Sequence, residues 1–197
     1  MFSLINKLGS TGLLLFVAAL PAPGQNRKPL DAFYDPAANE TIVYLSDKRV
    51  PVAIYPQQGF IPPDVGVFVV KPENLLLTVF FKTPGNRPVV PAAVTLNFES
   101  LSAGDFRYKD DRKLLVKADG ESFDFGDLKI VRSVLDRSSR GMRGAYYEET
   151  LEATVKLEDY SRIVNAKRVE MRVGETKFRL SDKKLEGLRS YIQRLKS

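Results

Sequence analysis

Histidine, cysteine and tryptophan are all absent from the 197 residues. Without His and Cys there is no Ser-His-Asp or Cys-His nucleophile, no disulfide, and no zinc centre built on imidazole or thiolate. Stability therefore has to come from a buried core, and a chain of this length is long enough to form one. The lack of Trp removes the usual aromatic platform of a sugar-binding cleft. No residue pattern calls for a cofactor or a metal.

Long hydrophobic runs are also missing. The apolar stretch 13–20 spans only about 12 Å as a helix, against the roughly 30 Å hydrocarbon layer of a bilayer, so no transmembrane anchor is expected. Preceded by Lys7 and followed by Pro21-Ala22-Pro23-Gly24-Gln25, it reads as a secretory signal peptide cleaved after Gly24. No Cys follows to carry a lipid. The expected organisation is a signal peptide over 1–24, a flexible leader over 25–39 and a single β-sandwich domain over 40–197, exported to the periplasm or the extracellular space.

Blocks of like charge are scarce. The net charge of +6 falls to +5 once residues 1–24, whose only charged side chain is Lys7, are removed. Charges alternate in sign along the chain, as on solvated strand faces, and no specific nucleic-acid partner is implied.

What the chain does contain is strand signals separated by Gly and Pro. Residues 41–45 are β-rich, and 50–55 carry Pro51, which restricts them to an edge. The continuous apolar runs 67–70 and 75–81 are expected to be central strands covered on both faces. Val94, Leu96 and Phe98 alternate with polar residues, as in a half-buried strand. Asp119-Gly120 suits a type I′ turn between strands 114–118 and 121–125. Strands 128–135 and 146–155 are expected to pair in a register whose partners sum to 281. That register sets Lys129 opposite Glu152, Ile130 opposite Leu151, and Arg132 opposite Glu149 as a structural cross-strand ion pair.

A short helix over 158–164 with Asn165 as left-handed C-cap is followed by a hairpin turning at Gly174-Glu175. Ser181 then caps an amphipathic C-terminal helix with Leu185, Leu188, Ile192 and Leu195 on one face. The fold expected is mainly β, an antiparallel β-sandwich closed on one side by that helix. The stretch IVNAKRVEMRVGETKFRLSDKKLEGLR, residues 163–189, resembles the ending of exported bacterial β-sandwich proteins that finish in a hairpin and a short helix. The resemblance implies a bacterial envelope setting and brings no catalytic residues with it.

Four motifs bear on function. Ser181-x-x-Lys184 matches the spacing of a Ser-Lys dyad, but no Ser-Asp-Asn or Lys-Thr-Gly companion accompanies it, and a helix cap explains the serine. Asp119, Glu121, Asp124 and Asp127 offer hard oxygen ligands, although their spacing is not that of an EF-hand, and a hairpin accounts for them. Asn39-Glu40-Thr41 has the form of a glycosylation acceptor. Arg137, Arg140 and Arg143 lie among small residues in the loop 136–145. They are the ligand-binding candidates, because guanidiniums dock carboxylates and phosphates bidentately; a solvated hairpin loop is the plainer account.

The expectation is thus an exported, non-enzymatic binding module that contacts an unknown protein or an anionic envelope polymer through a basic loop. A hydrolase working with carboxylates alone and a purely structural envelope protein are the alternatives.

Overall fold

The computed structural model describes residues 31–44, 50–54, 74–103, 105–136 and 146–195. Among them, strands β1 (Asp31–Asp35), β2 (Glu40–Tyr44), β3 (Val50–Ile54), β4 (Asn74–Pro84) and β5 (Ala93–Ala103) come first. The chain continues through β6 (Lys113–Ala118), β7 (Glu121–Asp127), β8 (Lys129–Asp136), β9 (Tyr146–Lys156), helix α1 (Leu157–Asn165), β10 (Val169–Val173), β11 (Thr176–Arg179) and helix α2 (Asp182–Leu195). The expected signal peptide and the strand expected at 67–70 lie outside the described residues.

Two antiparallel sheets result. The larger runs β1-β2-β4-β5-β9-β8, and the smaller runs β11-β10-β6-β7. β4 is central as expected: β5 pairs along one edge, while β2 and β3 share the other, β2 near residues 80–84 and β3 near 74–77. Pro51 marks a register shift in β3, in keeping with its edge position. Coverage on both faces is not what the continuous apolar run of β4 achieves. Leu75, Leu77, Val79 and Phe81 are fully buried, while Leu76, Thr78 and Phe80 on the other face are only half-buried.

The region read as a leader contains β1, which forms a hairpin with β2. Its turn is built locally: the Asp35 carboxylate accepts the N–H groups of Ala37 and Ala38, and Asn39 takes a left-handed φ of 51°. Asp119 and Gly120 have φ of 48° and 96°, as the expected type I′ turn requires.

The core lies between the sheets and is closed by the helices. Phe98 of β5 meets Phe178 of β11 edge-on, ring centroids 6.4 Å apart. α1 packs on β5, β6, β9 and α2. α2 buries Leu185, Leu188 and Ile192 of the stripe read from the sequence, with Tyr191 added, and the side chain of Leu195 lies outside the described residues.

One cap differs from expectation. α1 ends without a left-handed residue: Ala166 is extended (φ −64°, ψ 150°) and leads directly toward β10. The exposed helix carbonyls are served from a distance instead. Arg189 of α2 donates from Nε to the Val164 carbonyl (2.6 Å) and from Nη2 to the Ala166 carbonyl (2.7 Å). The Asp119 carboxylate accepts the next two N–H groups, from Lys167 (2.9 Å) and Arg168 (2.8 Å). Held by Asp119, the Lys167 and Arg168 N–H groups do not turn back onto the helix carbonyls as in a left-handed cap.

Candidate functional site

Arg137, Arg140 and Arg143 lie outside the described residues. The expected ion pair between Arg132 and Glu149 is replaced by other contacts. The register sum of 281 holds at Lys129 and Ile130, and then a bulge shifts β8 by one residue, so that Arg132 faces Thr150 and Ser133 faces Glu149. A one-residue slip exchanges the faces of the sheet. Arg132 thereby turns to solvent, where its Nη2 approaches Glu148 Oε2 at 3.8 Å, while Glu149 stays on the core face of β9 with Leu151 and Ala153.

Glu149 is only 1% exposed. Its carboxylate accepts the backbone N–H of Arg107 at 2.7 Å and that of Tyr108 at 3.2 Å. Burial pushes this carboxyl above the ordinary range, and the two N–H bonds oppose that shift. Residues 105–112 carry the chain from β5 in the larger sheet to β6 in the smaller one, so Glu149 pins the crossover that joins the sheets. Around it, Ser102 donates to the Asp105 carbonyl (2.9 Å), Phe106 meets Tyr147 edge-on, and the buried Tyr108 donates through its hydroxyl to Thr176 Oγ1 (2.9 Å). Gly174 (φ 52°) is forced by the same crossover, since an added Cβ would collide with the Asp111 carbonyl.

Three of the four acidic residues in the β6–β7 hairpin are occupied. Asp119 caps residues 167–168, Glu121 is paired with Arg162, and Asp124 meets Lys113 Nζ at 2.8 Å while accepting the Gly126 N–H. Among the described residues no cluster of three or more metal-ligating side chains occurs. Ser181 precedes α2, and its carbonyl accepts the Leu185 N–H, as at a helix start. Lys184 is half-buried, and that burial lowers its ammonium below the ordinary range. Asn39 stands in the β1–β2 turn, where its side-chain oxygen accepts the Tyr34 hydroxyl.

A hollow that none of the sequence motifs indicated lies on the outer face of the smaller sheet. It is open, measures about 690 Å³ and is lined by side chains from all four strands. Registers across the sheet arrange the outward residues in two rows. Lys177, Arg172, Leu115 and Asp124 form one row, and Arg179, Glu170, Lys117 and Ser122 form the other. The second row alternates charge in the usual stabilising way. The first does not: Arg172 of β10 stands directly opposite Lys177 of β11, a like-charge pair that costs stability in an antiparallel sheet. Arg172 is partly buried, and its Nε is shielded from solvent with no hydrogen-bond partner.

A signal for this site was available in the sequence. A two-residue turn at Gly174-Glu175 pairs Val173 with Thr176 and hence Arg172 with Lys177, without knowledge of the rest of the fold. The contribution of β6 was hidden, because β10 pairs with a strand about fifty residues earlier.

No protein-family profile, no curated protein and no solved structure matches the chain.

Proposed function

We propose that this protein is an exported, non-enzymatic binding module for an anionic partner in the bacterial envelope, and that the outer face of the smaller sheet makes the contact. The observation that supports this reading is the cross-strand opposition of Arg172 and Lys177 at the edge of a hollow, with Arg172 Nε buried and unsatisfied. Such an arrangement is unfavourable in the free protein and is relieved by an anion placed between the two cations.

The test is retention of the purified chain on a polyglutamate resin as ionic strength is raised. Lys177→Ser should elute at lower salt than the parent, because a cation that contacts the partner contributes to the salt dependence. A triple change of Arg137, Arg140 and Arg143 to Ser measures the loop independently. Parental elution of both variants would retire the reading, and a loss confined to the loop variant would move the contact there.

A further inference from the structure

We propose that the hollow on the smaller sheet is a site for a phosphate ester, with the phosphoryl group held between Arg172 and Lys177. The inference rests on the anion-binding reading above and names the chemistry of its ligand.

Charge is the first argument. Lys113 is matched by Asp124. That leaves Lys117, Arg172, Lys177 and Arg179 around a single carboxylate, Glu170, on the two outward rows. A monovalent carboxylate between Arg172 and Lys177 would compensate one cation of a surplus of three. A phosphomonoester carries close to two negative charges at neutral pH and several acceptor oxygens.

Geometry is the second. Directly opposed residues of an antiparallel pair hold their Cβ atoms about 5 Å apart, so both side chains reach one tetrahedral oxyanion. Arg172 brings the planar fork suited to two phosphate oxygens, including the shielded Nε that now lacks an acceptor. Lys177 brings a mobile ammonium.

The distribution of charge along the rows is the third argument, and it sets what the rest of the ligand is. The cations concentrate on β10 and β11, whereas the far end of the first row is Leu115 and then Asp124, and the second row ends at Ser122. A uniformly charged polyanion laid across all four strands would meet no surplus of positive charge at that end, where Asp124 is already paired with Lys113. An ester with its phosphate at the β10–β11 side and an uncharged body over Leu115 toward Ser122 matches that distribution. The hollow, about 690 Å³, also exceeds what a bare phosphate fills.

Titration calorimetry at constant ionic strength tests the assignment with glycerol 1-phosphate, inorganic phosphate, acetate and polyglutamate, and co-sedimentation tests phosphatidic acid vesicles against phosphatidylcholine vesicles. Glycerol 1-phosphate, phosphatidic acid or both should bind, more tightly than inorganic phosphate and far more tightly than acetate. Binding of the soluble ester alone marks a small metabolite-like ligand, and binding of vesicles alone marks a lipid headgroup; either supports the phosphoryl assignment. Arg172→Lys keeps the charge but removes the fork, and it should weaken binding at least about tenfold. Lys177→Ser, at an exposed position where folding is safe, should do the same, while Lys167→Ser, off the hollow, should change nothing. If polyglutamate binds through Lys177 and the phosphates do not, the phosphoryl assignment falls while the anion-binding reading stands. If no probe binds, or if the Arg172 and Lys177 variants bind as the parent does, both fall.

Discussion

Two corners of the molecule are tied by the same chemistry, a carboxylate accepting two consecutive backbone N–H groups, and the two carboxylates respond to their surroundings in opposite directions. Asp119, at an exposed turn, holds residues 167–168 where α1 gives way to β10, and its N–H partners lower its pKa. Glu149, in the core, holds residues 107–108 where the chain passes between sheets, and burial raises its pKa despite the same kind of partners. Hydrogen bonds to an anion favour it in both places, but only Glu149 has to give up water to receive them. The exposed corner is stabilised by its charge, and the buried corner is stabilised by its hydrogen bonds in spite of the charge.

The largest effect is expected from breaking the buried corner. Glu149→Leu leaves the Arg107 and Tyr108 N–H groups without acceptors and should cost about 2–4 kcal/mol in urea unfolding, whereas Glu149→Gln keeps an acceptor and should cost much less. Equal losses for the two would show that the charge, and not the hydrogen bonding, holds the crossover.

Next in size, Gly174→Ala attacks the same crossover from the β10–β11 turn. The left-handed φ and the collision with the Asp111 carbonyl should together cost about 2 kcal/mol. A parental melting temperature for this variant would show that the segment around Asp111 yields easily to the added methyl group.

The pH dependence sharpens the contrast most directly. Asp119 has a lowered folded pKa, so its contribution is present above its ordinary value of 3.8 and is lost as pH falls through the folded value. Glu149 has a raised folded pKa, so its contribution is full below its ordinary value of 4.5 and is lost as pH rises through the folded value. In urea midpoints measured from pH 3 upward, Asp119→Asn should flatten the acid limb and Glu149→Gln the limb above it. Changes of the same sign on the same limb would abolish the distinction.

The smallest effect belongs to Arg132. Because the bulge in β8 turns it to solvent, Arg132→Met should change stability by less than about 0.5 kcal/mol, and it should add independently to Glu149→Leu. Coupling between the two would mean that the bulge is absent in solution.

Much of the fold was legible from local chemistry. The Asp119-Gly120 turn, the alternation of Val94, Leu96 and Phe98, and the apolar stripe of α2 each depend on a few neighbouring residues, and each appears where the sequence places it. The register of β8 and β9 was legible only as far as Ile130, because a bulge is a choice between two nearly equivalent pairings that the core makes. In the candidate site, the Arg172 and Lys177 pair could be read from its hairpin, but Leu115, Lys117, Ser122 and Asp124 could not.

The sequence by itself determined both helices, most of the strands though not β1, the tight turns at Asp119-Gly120 and Gly174-Glu175, and that a chain without His or Cys has neither imidazole nor thiol chemistry, since these follow from residue identity and short-range periodicity. Only the tertiary structure decided that Glu149 is a buried tether rather than half of an ion pair, that Arg189 and Asp119 together finish α1, and that three strands set their cations around one hollow. Each of those outcomes depends on pairing between residues distant in the chain, where competing partners are chemically alike and the packing of the whole core selects among them.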